Sequence, residues 1–311
     1  MGIRGLQQLL KQRVPQARRM PDFTTPGQIW GIDCSCLLFK ARGANLDILT
    51  VLAGLLVKLL HHRIRPIVVF DGFTGGGAKA DLLESRRQER QKVASALEHV
   101  REAATKAQTV TEKETCALQE AALQKKAPMV SRTDRDELKQ FLHMAGVLFV
   151  TVRGEADDFL AALAREGKIH AVLTTDTDAF ARGIPRVIVP ETSDATVLIE
   201  WSLTAVLKGL MMPYDTFIRM CALMGSDYTS SSMPVPKAMR LAVAEDTVLT
   251  DEQEEAVRLL RGVGVGAEDM LDSKQKERWA IGSFEKEPQE LTELVETKGW
   301  PRSWMNILLT A

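Results

Sequence analysis

The sequence predicts an α/β protein with a parallel sheet, a helical insertion and a helical C-terminal part. Three observations carry that prediction. Short β-branched runs alternate with amphipathic helical segments from "QIWGID" through "IHAVLTT", the pattern in which a crossover helix returns the chain to the next parallel strand. From about Lys79 to Lys126 the composition shifts to helix formers and charges of both signs with few large apolar residues, as on an exposed helical insertion. Beyond Tyr228 no long strand pattern remains. The chain has 311 residues, 45% of them hydrophobic, enough to bury a large core in one domain, alone or with a smaller unit appended.

The elements follow in order. "MGIRGLQQLLKQRVPQARR" has a helical period with scattered basic residues and lacks the apolar centre of a signal peptide. No apolar run reaches the roughly 18 residues of a membrane span, so an intracellular protein without a membrane partner is expected. "QIWGID" is a strand closing on Asp33, and the Cys34-x-Cys36 pair is placed on strand as well, an awkward geometry for mutual bonding. The 4 cysteines fit a reduced compartment and show no zinc spacing. The helix "LDILTVLAGLLVKLLHH" precedes the strand "PIVVFD", which closes on Asp71 before the turn "GFTGGG". That glycine run reads as a hinge, since no Gly-x-x-x-x-Gly-Lys phosphate loop accompanies it.

After the insertion come the helix "TDRDELKQFLHMAG", the strand "VLFVTV", the helix "EADDFLAALAREG" and the strand "IHAVLTT". "RVIV" and "TVLIEW" extend or edge the sheet, and "SLTAVLKGL" and "PYDTFIRMCALMG" are helices. "DEQEEAVRLL", "GAEDMLDSKQKERWA" and "PQELTELVETK" make the rest helical. The expected division is an α/β core over 1–228, with the insertion at 72–130, and a helical subdomain over 229–311.

Parallel strands point the same way, so Asp33, Asp71, Asp176 and Asp178 gather at one carboxyl edge, where Glu155 and Asp157 also open a helix. Singly, such acids are helix caps or turn formers, and those in "EADDFLAALA" suit the helix dipole. Together, with no Lys or Arg replacing an acid at these strand ends, they repel one another unless cations neutralise them. Hard oxygen ligands suit Mg²⁺ or Mn²⁺. His61, His62, His99, His143 and His170 are scattered and read as surface or packing residues. A formal net charge of −1 leaves room only for a local nucleic-acid surface.

"MGIRGL", "IDCSCLLFK", "VVFDG", "GEADDFLAALAREGKIHAVLTTDTDAFA" and "LMGSDY", in that order and spacing, resemble the flap endonuclease or XPG nuclease family over roughly residues 1 to 240. The resemblance implies a PIN-like 5′-nuclease core with a helical arch, and a divalent-metal 5′-flap endonuclease with 5′–3′ exonuclease activity. It implies a monomer acting on branched DNA that carries a single-stranded 5′ flap, in the nucleus or wherever viral or genomic DNA is replicated. Asp33, Asp71, Glu155, Asp157, Asp176, Asp178 and Asp227 match the family's metal-binding carboxylates, with Asp157 standing where Glu is usual. Two Mg²⁺ ions about 4 Å apart, or Mn²⁺ in their place, are then expected at the scissile phosphate, and products with a 5′-phosphate. Lys79 and Arg86, two helical turns apart, match the basic pair that reaches that phosphate. Arg87, Arg90 and Lys92 are candidates to guide a single strand, diluted by Glu84 and Glu89. Gly2 matches a processed N-terminus close to the metals. Phe39 matches a base-stacking ring, its alternative being core packing on an amphipathic helix.

The resemblance fails after "GSDY". The family's glycine turn, which grips duplex phosphates through backbone N–H groups and a monovalent cation, is replaced by "TSSSMPVPKAMRLA". Pro234 and Pro236 remove donors and forbid positive φ, leaving Lys237 as the phosphate contact. Gly262, Gly264 and Gly266 offer a displaced phosphate nest or, more simply, a turn between helices. No sliding-clamp motif and no basic tail are present in this sequence, as in short members of viral type. Two other functions compete: a catalytically silent scaffold on the same fold that binds protein or RNA, which the full acidic set disfavours, and a 5′–3′ exoribonuclease, whose larger size and acidic helix motif are missing.

Overall fold

The computed structural model describes residues 2–14, 18–20, 24–72, 80–126, 130–190, 197–229, 232–244, 246–262, 266–282 and 285–310. Among these residues seven strands form one sheet: β1 Arg18–Arg19, β2 Ile29–Asp33, β3 Arg65–Phe70, β4 Phe149–Thr151, β5 Ala171–Leu173, β6 Arg186–Pro190 and β7 Leu198–Ser202. Their order is β1-β7-β6-β5-β2-β3-β4. From β6 to β4 every pairing is parallel, while β7 runs antiparallel to β6 and β1 antiparallel to β7. The chain winds from β2 outward through β3 and β4, then returns to place β5 on the other side of β2. That reversal makes the carboxyl ends of β2 and β5 a topological switch point, where open α/β sheets leave a crevice.

The sheet is covered on both faces at its centre, so the strands β2, β3 and β5 are largely apolar rather than alternating with polar residues. Alternate residues serve opposite faces. Ile67, Val69 and Val172 pack with the helices Leu6–Arg13, Ala156–Arg165 and Tyr214–Met224. Trp30, Ile32, Val68, Phe70 and Leu173 pack with Cys34–Gly43, Ile48–His61 and Arg132–Met144. The insertion is a pair of helices, Ala80–Lys106 and Val110–Lys126, joined by the small contact of Val93, Leu97 and Leu123 and an Arg101–Glu120 ion pair at 2.8 Å.

Several elements depart from the sequence reading; Arg18–Arg19, at the end of the stretch with a helical period, form strand β1. Cys34 and Cys36 lie on the helix Cys34–Gly43, not on a strand, because Asp33 caps it and ends β2; all four cysteines are free. A helix, Val235–Val243, begins at the two prolines, which is permitted because the first helical N–H groups have no intrahelical acceptor to lose. A last helix, Arg302–Thr310, follows Trp300. Past residue 229 the helices reach both faces: Leu260, Ala267 and Leu271 join the first core, and Leu291, Val295, Trp300 and Leu308 the second. Trp300 packs edge-on to Phe141, and its Nε1 donates to Thr50 Oγ1 at 2.9 Å. Among the described residues no helix is long and apolar enough to cross a membrane.

Candidate metal centre

Asp33 closes β2, and its carboxylate accepts from the Cys36 amide at 3.2 Å and from Thr174 Oγ1 at 3.0 Å. It is 3% exposed. Burial, and then the charge of Asp71, push its pKa up to about 6. Asp71 follows β3 and accepts from the Ala156 amide at 2.8 Å and from the Ser35 hydroxyl. Gly72 permits this approach between the ends of β3 and β4. Its amide donates to the Gly154 carbonyl at 3.0 Å, and a Cβ there would strike the Val152 carbonyl.

Asp176 and Asp178 follow β5. Thr174 Oγ1 accepts from the Asp176 amide at 3.1 Å while donating to Asp33, so one hydroxyl joins the two strand ends of the switch point. Asp176 Oδ1 accepts from the Asp178 amide at 3.0 Å, and Asp178 is buried. Asp157 enters from the first turn of the helix Ala156–Arg165, and its Oδ1 is buried without a hydrogen-bond partner. Burial, then Asp33 and Asp176, and to a lesser degree Asp178, push its pKa well above the usual carboxylate range, against the pull of Arg182. The edge thus brings Asp157 within reach of the charges of Asp33, Asp176 and Asp178, and Asp33 within reach of that of Asp71.

Glu155 stands beside them, 3.7 Å from Arg182 Nη2. Asp227 lies in the turn after the helix Tyr214–Met224, a turn tied to the N-terminus by the Arg4 amide on the Gly225 carbonyl at 3.0 Å. Among the described residues no three His, Cys, Asp or Glu side chains are drawn together as ligands of one ion. The acids line the edge with their charges opposed. They nevertheless fit a divalent cation: an orphaned buried carboxylate oxygen and two acids pushed toward their neutral forms mark a missing counter-charge.

Gly2 reaches this edge from the N-terminus. Its φ is +95°, a Cβ would collide with the Asp176 carboxylate, and the next amide, of Ile3, donates to Thr177 Oγ1 at 2.9 Å. Phe39 is half-buried on the helix Cys34–Gly43, whose Leu37, Leu38 and Ala41 carry the packing. Lys237 is exposed in the first turn of Val235–Val243. Lys79 and the "FTGGGA" run lie outside the described residues; Arg86, Arg87 and Arg90 fall on the helix Ala80–Lys106, their side chains outside the description. Gly262 ends the helix Asp251–Arg261 and packs on Arg165, at the far end of Ala156–Arg165 from Glu155, about 15 Å along that helix. Gly264 lies outside the described residues.

Sequence reasoning missed Arg182. Its side chain is fully buried and pairs with Asp158, which the sequence marks only as a helix-start acid. The signal was a lone arginine inside the apolar run "DAFARGIP", where a buried cation demands a partner.

The XPG I-region family model matches residues 146–227, which include Glu155, Asp157, Asp176, Asp178 and Asp227. Flap endonuclease 1-A of Sorghum bicolor is 27% identical over 300 residues, covering 90% of this chain and 71% of that protein. Flap endonuclease 1 of Chlamydomonas reinhardtii is 30% identical over 247 residues, 73% of this chain and 59% of that protein; the chain thus spans less than two thirds of it. Among solved structures, the catalytic core of Rad2 in complex with DNA substrate aligns with a TM-score of 0.61 at 17% identity, covering 99% of each chain. Flap endonuclease-1 from Methanococcus jannaschii aligns with a TM-score of 0.58 at 20% identity, covering 93% of this chain and 96% of that one. At these identities the structures speak for the fold, and the sequence relatives for descent. The chain carries an XPG I-region and is related in sequence to the flap endonucleases.

Proposed function

We propose that this chain is a structure-specific 5′ nuclease that hydrolyses branched DNA bearing a single-stranded 5′ flap, as an endonuclease with 5′–3′ exonuclease activity, in replication, repair or recombination. The observation that carries the reading is that Asp157 feels the charges of Asp33, Asp176 and Asp178, and Asp33 that of Asp71, at the ends of the elements around the switch point, in a chain whose relatives are flap endonucleases. That the Rad2 core is a complex with DNA substrate supports DNA as the partner.

Asp33, Asp71, Glu155, Asp157, Asp176, Asp178 and Asp227 are the residues that would hold two Mg²⁺ ions, or Mn²⁺. Such ions, when bound, lower the pKa of an attacking water and offset the charge developing on the phosphate. The chain's own part is orientation. Hydrogen bonds from Cys36, Thr174, Ala156 and Ser35 fix the carboxylates of Asp33 and Asp71, while Asp157 Oδ1 has no competing donor. Gly2, without a side chain, leaves Asp176 uncovered. Lys79 and Arg86 are assigned to the scissile phosphate, Arg87 and Arg90 to the single strand, Phe39 to stacking on a base, and Lys237 to the duplex backbone. The 72–130 insertion is the arch over the core, and 229–311 the part that grips duplex.

The test is cleavage of labelled 5′-flap, 3′-flap, nicked and four-way DNA, with RNA equivalents, in Mg²⁺ and in EDTA. Mg²⁺-dependent cutting of the 5′ flap is expected, leaving a 5′-phosphate. Asp71→Asn and Asp178→Asn should fold, keep much of the flap affinity and lose on the order of a hundredfold or more in rate. Full activity in both variants ends the reading.

A further inference from the structure

We propose that Arg182 is a positioning residue of the carboxylate edge, an internal cation that ties together the three segments bearing Asp178, Glu155 with Asp157, and Asp227. The proposal rests on the reading of that edge as a divalent-ion site. Arg182 leaves the C-terminal end of the short helix Asp178–Ala181, where its own amide donates to the Asp178 carbonyl at 2.9 Å. Its Nη1 pairs with the Asp158 carboxylate. Its Nη2 donates to the Tyr228 hydroxyl at 2.6 Å and lies 3.7 Å from Glu155 Oε2. The guanidinium carbon is 6.0 Å from the Tyr228 ring centroid. One side chain therefore touches the start of the helix Ala156–Arg165 and the turn that carries Asp227, and it is anchored next to the third acid-bearing segment.

Packing alone does not account for an arginine here. Its side chain has no exposed surface and its Nε has no hydrogen-bond partner, an arrangement that an apolar side chain of similar volume would make less costly. Geometry does account for it. A guanidinium presents a rigid fork of donors, and this one spans partners from two segments while its backbone belongs to the third. Asp158 offsets part of its charge; beyond the pull that Arg182 exerts on Asp157, what it contributes is the spacing of the acids around it. Partners of this kind that orient ligands are worth roughly ten- to a hundredfold in ion affinity.

The charge-conserving double variant Arg182→Met with Asp158→Asn separates positioning from field, because it removes one positive and one negative charge together. Mn²⁺ binding to the full chain is measured by the loss of free-ion signal in electron paramagnetic resonance, beside the single-turnover rate on a 5′ flap at saturating Mn²⁺. Expected is about tenfold weaker Mn²⁺ binding and a lower saturated rate, with a cooperative melt retained. Should the double variant not fold, Tyr228→Phe decides, since it deletes only the hydroxyl that holds Arg182; Mn²⁺ binding several-fold weaker is expected there. Wild-type Mn²⁺ affinity in the folded double variant, or in Tyr228→Phe, overturns the role of Arg182 and leaves the ion site standing. A wild-type chain that binds no Mn²⁺ overturns both.

Discussion

Asp33 and Asp157 are acids whose burial shifts them toward the protonated form, and this gives their titration a definite sign. With its pKa raised from 3.8 to about 6, the native state holds, between those pH values, a proton on Asp33 that the unfolded chain has released. The contribution of Asp33 to stability is therefore fully present below the unfolded value and is lost as pH rises through about 6. Acids pulled the other way, such as Asp47 and Asp134, lose their contributions only as pH falls below their ordinary range, outside that window. In EDTA, the melting temperature of the wild type relative to Asp33→Asn should be higher at about pH 5 than at about pH 7, with Asn keeping the helix cap. Saturating Mg²⁺ should cancel that difference. A gap that does not move between the two pH values in EDTA would place the burial of Asp33 elsewhere than in its charge. These acids were legible in the sequence because each ends a strand or opens a helix, positions that the alternation of elements reveals. Arg182 was not, because its partners are Asp158 and Tyr228, 24 and 46 residues away, and no local pattern encodes that meeting.

The helix Val235–Val243 shows how one residue type carries opposite meanings. Pro234 stands at its N-cap and Pro236 within its first two positions, where a missing N–H breaks no helical bond. Read along the chain, the same prolines suggest only a broken turn. The helix Cys34–Gly43 was hidden for a different reason: its run of cysteine and leucine continues the apolar stretch of β2, and only the cap at Asp33 separates them. On the proposed reading, proline in place of glycine after "GSDY" would leave few backbone donors for phosphates, and duplex grip would fall to side chains such as Lys237. Flap binding should then weaken as total salt rises, with no preference for potassium over sodium at equal ionic strength. Lys237→Ala should flatten the salt slope by roughly one unit. Titrations by fluorescence anisotropy in the two salts decide; a potassium-specific gain, or an unchanged slope, would contradict this assignment.

The alternation of strand and helix was enough to foresee a parallel sheet with its acids at one edge. It did not foresee the closure of the second face. Trp300 and Trp304 pack against each other with their ring planes inclined at 47°, and a Cβ at Gly54 would lie 3.0 Å from the Trp304 ring, so the final helices seal Ile48–His61 from the side opposite the sheet. Such contacts join residues some 250 positions apart, and amphipathic patterning says which face of a helix is apolar but not what covers it.

The switch point also bears on how fast the molecule comes apart. Its acids arrive from stretches of chain scattered between Asp33 and Asp227, so their repulsion is felt only when those strand ends finally meet. Contacts between distant stretches are late arrivals on the way to the native state, and an interaction absent from the transition state acts on escape rather than on entry. In stopped-flow experiments Mg²⁺ should slow unfolding while leaving the refolding limb in place. Faster refolding with Mg²⁺ would mean instead that the acidic edge belongs to the nucleus from which the fold grows.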